Sequence, residues 1–269
     1  MKTCFATVIY KQAKDFFDPL VDSLKIQTDK DFDFLVINDN YSKSELDELN
    51  FPDNTILVDC QSQHLSIVQT RIEMLKQAKA RAYDLIVLGD ADDTISANRI
   101  EAYKKAAEID KTSVFFYNKF VTDTGENVFK NLPKSVTDIK QISQQNFLGL
   151  SNTGIRLDAI SEEFLDSLKE CTSPVFDWYL FTRILMDVGT GSQVEDAATI
   201  YRIYEDNVAG CSRDLNKEID VKTRHYSILS QRYEYFKKMA NMLQAINNDS
   251  LKLSINHQGY WWSDIQMEE

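Results

Sequence analysis

Along the first half of the chain, short apolar runs alternate with segments whose apolar residues recur every three to four positions. Phe5-Ala-Thr-Val-Ile-Tyr10 is rich in β-branched and aromatic residues and reads as a strand. Phe17, Leu20, Val21 and Leu24 follow at helical spacing. Phe32 to Ile37 reads as a second strand that stops at the turn-like Asn38-Asp39-Asn40, and Asn54 to Val58 as a short third. Leu65, Val68, Ile72 and Leu75 mark a second helix, Leu85 to Leu88 a fourth strand, Ile100, Tyr103 and Ala107 a third helix, and Val114 to Tyr117 a fifth strand. This rhythm predicts an α/β fold, a mostly parallel central sheet with helices on both faces. Right-handed crossovers then bring the carboxyl ends of the strands to one edge, where open α/β sheets bind their ligands.

The fourth strand carries the chemistry. In Asp84-Leu-Ile-Val-Leu-Gly-Asp90-Ala-Asp92-Asp93 an apolar run delivers three carboxylates to that edge. Hard oxygen ligands in a crevice suit Mg²⁺ or Mn²⁺ bound together with a diphosphate. Burying such carboxylates unpaired is costly, so they are poor packing devices. The competing reading is an acidic loop capping the next helix, since aspartates favour helix N-termini.

The 269 residues suffice for one α/β domain and an appendage. A formal charge of -12 disfavours a general nucleic-acid binder but leaves room for a local nucleotide site. Cys4, Cys60, Cys171 and Cys211 are widely spaced, which reads as reduced thiols in a cytosolic protein. The N-terminus lacks a long apolar signal region, and no run approaches the length of a transmembrane helix. A cytoplasmic protein is expected, with peripheral attachment at the inner membrane face as the variant.

The second half is less regular. Leu148 to Ile155 is compatible with strand or loop, Asp158 to Leu168 and Phe176 to Val188 with helices, and Ala198 to Tyr204 with a strand. Leu229, Tyr233, Phe236, Ala240 and Leu243 predict one amphipathic helix. The tail Gly259-Tyr-Trp-Trp-Ser263 must pack, contact an acceptor or face a partner, with core packing preferred and a homodimer through this tail as an alternative.

Four stretches, in order over roughly residues 3–210, give the chain its resemblance. Ser23 to Thr28 with Phe32 to Asp39 resembles S-x-x-x-Q-T followed by a strand ending in N-D-G-S. Asp84 to Asp93 resembles a strand ending in D-A-D-D, Phe176 to Arg183 resembles E-D-W-x-L-W-x-R, and Tyr201 to Asn207 resembles Y-R-x-H-x-x-N. Together these resemble the family 2 glycosyltransferases of the GT-A, Rossmann-like fold. The resemblance implies a GT-A domain over 1–211, with a donor half to about residue 117 and an acceptor half beyond it, and a helical C-terminal extension over 212–269. It implies an inverting transfer of a sugar from a nucleotide diphosphate donor, a UDP-sugar first, to a glycan or glycolipid hydroxyl in surface polysaccharide or glycoconjugate assembly. Asp92, with Asp90 and with Asp93 as an alternative ligand, would hold Mn²⁺ or Mg²⁺. Thr7, Val8, Tyr10, Asp39, Arg71 and Asp90 would bind the nucleotide, Asp177 would be the catalytic base, and Trp178 would contact the acceptor.

Each site residue also has a structural reading: Asp39 as a turn-former, Asp177 as a helix cap, Trp178 as core and Arg71 as a surface arginine. His64 is left unassigned. The chain departs from the family at Ile72 and Met74, where asparagine and glycine are usual, and at Asn40-Tyr41, Phe176 and Tyr204. Two other function classes stay open. A sugar nucleotidyltransferase would share the doubly wound fold, but Tyr10-Lys-Gln-Ala-Lys-Asp15 has none of the glycines of a phosphate loop. A non-catalytic binding module would keep the fold without turnover.

Overall fold

The computed structural model describes residues 1–60, 64–202, 214–246, 251–254 and 257–267. Strand β1 (Thr3–Ile9) leads through a 3-10 turn into α1 (Lys14–Lys25), followed by β2 (Asp33–Asn38), α2 (Lys43–Leu46), β3 (Thr55–Asp59) and α3 (Ile67–Ala80). Then come β4 (Leu85–Leu88), β5 (Thr94–Ile95), α4 (Arg99–Ile109) and β6 (Phe115–Val121). The second half adds β7 (Ser135–Val136), β8 (Thr153–Arg156), α5 (Glu162–Ser167), α6 (Phe176–Asp187) and β9 (Gly191–Ile200). Helices α7 (Leu215–Ser230) and α8 (Glu234–Ile246) and the antiparallel pair β10 (Leu251–Ser254) and β11 (Asp264–Met267) end the described chain.

The main sheet has the order β3-β2-β1-β4-β8-β6-β9-β5, with β7 also on β9. Strands β3, β2, β1 and β4 are parallel neighbours, and β6 and β9 share their direction. Strands β8, β5 and β7 oppose them. The result is the large, mostly parallel sheet with flanking helices of a GT-A Rossmann-like fold. Because β1 lies between β2 and β4, the strand order reverses there, and the crevice beyond the ends of β1 and β4 is the expected ligand site.

The sheet alternates between two cores, as a period of two residues requires. Cys4, Ala6, Leu35, Ile37, Ile86 and Leu88 face α3 and the C-terminal elements. Phe5, Ile9, Phe34, Val36, Leu85 and Val87 face α1 and α4. Helix α1 closes that second layer with Phe17, Leu20, Val21 and Leu24, all at most 3 % exposed. At about 1.5–3 kcal/mol for each large apolar side chain, this stripe holds α1 to the sheet. The thiols of Cys4 and Cys60 are buried and free, that of Cys171 is half-buried and free, and Cys211 lies outside the described residues.

The strand expected over Val114 to Tyr117 forms as β6, with β8 between it and β4. Other sequence expectations change. Leu150–Asn152 is a 3-10 turn that feeds β8, and the regular helix expected from Asp158 shrinks to α5 between 3-10 turns. The single amphipathic helix through Leu229 and Leu243 is broken: Arg232 and Tyr233 both donate to the Leu229 carbonyl, which closes a turn between α7 and α8. Leu229, Phe236 and Leu243 are nevertheless all buried. Periodicity registers a shared buried face, and two helices folded onto one core present it as well as one.

Candidate active site

The carboxyl ends of β1 and β2 form the first wall. Asp39 N–H donates to the Ile9 carbonyl at 3.1 Å, which fastens the end of β2 to the end of β1. The unusual Tyr41 is 2 % exposed, and its hydroxyl donates to the Tyr10 carbonyl at 3.2 Å. The bulky turn therefore braces the segment it faces. Val8, Tyr10 and Asp39 line a cavity of about 520 Å³, a volume usual for small-molecule sites. Thr7 does not join them: it is fully buried, because the strand alternation turns its side chain into the opposite layer.

The second wall is the loop after β4. Gly89 turns the chain against the Phe5 ring, where an added Cβ would lie 2.2 Å from Phe5 Cζ. Asp90, Asp92 and Asp93 then all border the cavity. Asp90 N–H donates to Ser151 Oγ at 3.2 Å, which ties the loop to the turn before β8. Asp93 is 3 % exposed, and its carboxylate accepts the Arg202 N–H at 3.0 Å. Burial, with Asp90 and Asp92 adding, pushes its carboxyl up to about 8. Asp93 thus clamps the loop to the segment after β9, and the alternative metal-ligand role does not fit it. Arg99, fully buried at the start of α4, donates to the Leu88 carbonyl at 2.9 Å and lays a cation beneath the loop.

Arg71 and Asp177 complete the polar part. Helix α3 starts at a capping box in which Ser66 and Gln69 satisfy each other's backbone N–H, and one turn on, Arg71 reaches Asp90 at 3.9 Å. Ile72 and Met74 replace the expected asparagine and glycine because they pack in the core, 5 % and 2 % exposed. Asp177 sits in the first turn of α6, and its Oδ1 accepts the Trp178 N–H at 2.7 Å. Burial raises the Asp177 carboxyl above its ordinary value, and Arg71 opposes the rise. Burial likewise raises Asp90, with Asp92 and Asp177 adding to it and Arg71 opposing. Five acidic groups, Asp39, Asp90, Asp92, Asp93 and Asp177, and one arginine therefore line one cavity.

Trp178 does not contact the cavity. It is fully buried, its Nε1 donates to the Ile142 carbonyl at 2.6 Å, and its ring stacks on His225 at 4.0 Å. The expected acceptor contact is a core residue. The aromatic lining comes instead from Phe120, Tyr201, Trp261 and Trp262. The C-terminal tail, beyond the resembling stretch, thus lines the site. Tyr260 and Trp262 are 6 % and 8 % exposed within the chain's own core, so the tail does not offer the free tryptophan pair that suggested a homodimer. His64 borders a shallow recess beside Asp39 and Asn40. The expected Tyr204 position lies outside the described residues.

Among the described residues, no group of three or more His, Cys, Asp or Glu side chains is placed to hold a metal ion, and no helix is long and apolar enough to cross a membrane. Asp90 and Asp92 nevertheless offer two hard carboxylates on one cavity wall. That set fits a divalent cation that takes its other oxygens from a phosphate and water rather than from a protein cage.

No protein-family profile matches the chain, and no curated protein sequence does. Solved structures do. TarS 1-349 of S. aureus in complex with UDP-GlcNAc matches with a TM-score of 0.54 at 14 % identity, over 84 % of this chain and 73 % of that one. A further TarS structure gives 0.53 at 15 % identity, over 84 % and 44 %. The mannosyltransferase PcManGT from Pyrobaculum calidifontis, in complex with GDP-Man and Mn²⁺, gives 0.56 at 13 % identity, over 91 % and 69 %. At these identities the likeness establishes the fold.

Proposed function

We propose that the chain is an inverting glycosyltransferase that moves a sugar from a nucleoside-diphosphate donor, a UDP-sugar first, to a hydroxyl of a glycan or glycolipid in surface polysaccharide or glycoconjugate assembly. The observation that carries this reading is the meeting of Asp90, Asp92, Arg71 and Asp177 in one cavity beyond the ends of the parallel strands. The complexes of TarS with UDP-GlcNAc and of PcManGT with GDP-Man and Mn²⁺, on the same fold, support it.

The nucleoside would lie against Val8, Tyr10 and Asp39, where a carboxylate can accept base N–H groups. Arg71 would face the diphosphate and supply a permanent positive charge. Asp92 with Asp90 would hold Mn²⁺ or Mg²⁺, which offsets the negative charge that grows on the leaving diphosphate. In the transfer, an acceptor oxygen forms its bond to the anomeric carbon as the bond from that carbon to the diphosphate oxygen breaks. The electron pair leaves with the diphosphate, and the acceptor proton goes to Asp177. A carboxyl raised toward neutrality by burial is a stronger base than an ordinary one and suits that step.

A thermal-shift panel of nucleoside diphosphates and sugar nucleotides, with and without Mn²⁺, tests the reading. A ligand bound only by the native state raises the melting temperature. Stabilisation by UDP or GDP that requires Mn²⁺ and is lost in Asp92→Ala is expected. A folded protein that responds to no nucleotide would overturn the proposal.

A further inference from the structure

The cavity is lined by aromatic rings as well as by charged groups. Trp261 is held by its backbone: its N–H donates to the Asn146 carbonyl and its carbonyl accepts the Asn146 N–H, both at 2.9 Å. Its ring rests on Phe120 at 5.5 Å, Phe129 at 5.2 Å and Tyr201 at 6.2 Å. The ring remains only half-buried and borders the cavity. Beneath it Gly149 leaves the space the indole needs, since a Cβ there would come within 3.0 Å of Trp261 Cη2.

The next residue is strained. Trp262 adopts φ 68°, which bulky residues rarely do. Its ring stacks nearly parallel (6°) on Trp178 at 5.9 Å, and Ser263 N–H donates to buried Glu218 at 2.9 Å. Trp178 directly follows Asp177, so these contacts set the aromatic wall on the side of the proposed base. Strain held at a cavity wall is a mark of function. A braced, half-buried indole bordering the cavity that Asp177 also lines fits a ligand with one flat apolar face and hydroxyls around it.

We propose that the strap 258–263 forms the acceptor subsite, with the Trp261 indole as the platform on which a pyranose ring of the acceptor stacks. The inference rests on the transferase reading and names the class of its second substrate. A pyranose presents ring C–H groups to the indole and keeps its hydroxyls at the edge, where one can face Asp177. The donor nucleotide uses Val8, Asp39 and Arg71.

The test is saturation-transfer NMR on the full chain with Mn²⁺ and UDP or GDP, using methyl pyranosides and β-linked disaccharides as probes. In the wild type, at least one saccharide is expected to receive saturation through its ring C–H protons. Trp261→Ala should weaken that saccharide about tenfold or more, Trp261→Phe about threefold or less, and nucleotide affinity should stay within about twofold in both. Gly149→Ala, whose Cβ would press on the edge of the indole at 3.0 Å without removing it, should also weaken the saccharide alone. It keeps the test decisive if Trp261→Ala fails to fold. Saccharide binding that survives both Trp261→Ala and Gly149→Ala would overturn the proposal. Equal loss of nucleotide affinity would do so too, by making the indole a donor wall. Wild-type protein that binds nucleotide but none of the saccharides would overturn the platform and leave the transferase standing. Failure to bind nucleotide would count against the transferase reading itself.

Discussion

Arg71 and Asp177 oppose one another in the cavity in a way that can be read from pH. Burial raises the Asp177 carboxyl, and the guanidinium pulls it back. In its proposed role as base, Asp177 must be ionised to act, so the acid limb of kcat should lie above the ordinary carboxylate range. Removing the cation removes the positive charge that favours the carboxylate. Arg71→Met should therefore move the limb to higher pH, beyond any rise in KM. A limb that stays in place or moves to lower pH would show that Asp177 is not the group titrating. At this scale the sequence was informative wherever a residue sits at the end of an element. Asp39, Asp90, Asp92, Arg71 and Asp177 all meet in the cavity because strand ends and helix starts do. Trp178 misled because the first turn of a helix has a core side as well as a cavity side. Phe120, Ser151 and Arg99 gave no local signal, for their roles exist only through contacts distant in sequence.

The elements explain motifs that do no chemistry. In the Ser23 to Thr28 stretch, Gln27 is 1 % exposed: its Nε2 donates to the Ser23 and Ser96 carbonyls at 2.9 Å, and its Oε1 accepts the Ile100 N–H. It fastens the end of α1 to the start of α4, and so supports the carboxylate loop from behind. Gly154 plays a comparable part in β8, where a Cβ would lie 2.8 Å from the Tyr103 ring and 2.9 Å from the Ile86 carbonyl oxygen. The backbone oxygen cannot easily move, so Gly154→Ala should lower unfolding stability by about 1–3 kcal/mol in urea titration. An unchanged midpoint would mean that β8 tolerates more separation from β4 than its pairing suggests.

Helix α7 shows why the C-terminal elements were hard to read. Its buried face carries Glu218, Lys222 and His225, residue types that a sequence reading assigns to solvent. Lys222 is fully buried, donates to the Gln144 carbonyl, and is pushed down to about 7 by burial, against the pull of Glu218 and Asp264. His225 and Tyr226, also buried, complete its surroundings, and Trp178 lies 5.2 Å from its ammonium. The unfolded chain binds a proton here that the folded chain releases. This group therefore adds stability as pH rises from about 7 toward about 10, and that stability is lost as pH falls back through the folded value. Lys222→Met should flatten that rise, by on the order of 2 kcal/mol in urea titrations at the two ends of the range. An identical pH slope in the variant would show that the ammonium is solvated.

Over the whole molecule, the parallel strands β3-β2-β1-β4 present one end to the cavity, on the side proposed for the nucleotide, while α6, the end of β9 and the C-terminal strap complete its lining. The first part follows from strand and helix periods and was legible. The second depends on β8 entering the sheet between β4 and β6, and on a tail that returns to residues more than a hundred positions earlier. Local patterns carry no information about such returns. In the proposed transfer two carboxylates of one cavity take different roles, donor activation at Asp92 and proton removal at Asp177. That division of roles separates a transferase from a nucleotidyltransferase, which would act on the diphosphate itself, and from a binding module, which would do neither.

The most direct measurement is ³¹P NMR of sugar nucleotides incubated with the protein and Mn²⁺, in the presence of saccharide acceptors and in water alone, for the wild type and Asp177→Asn. Release of an intact nucleoside diphosphate by the wild type is expected, with at least about a hundredfold loss in Asp177→Asn while nucleotide binding persists. Appearance of a sugar 1-phosphate, or binding of every nucleotide with no release by either protein, would contradict it.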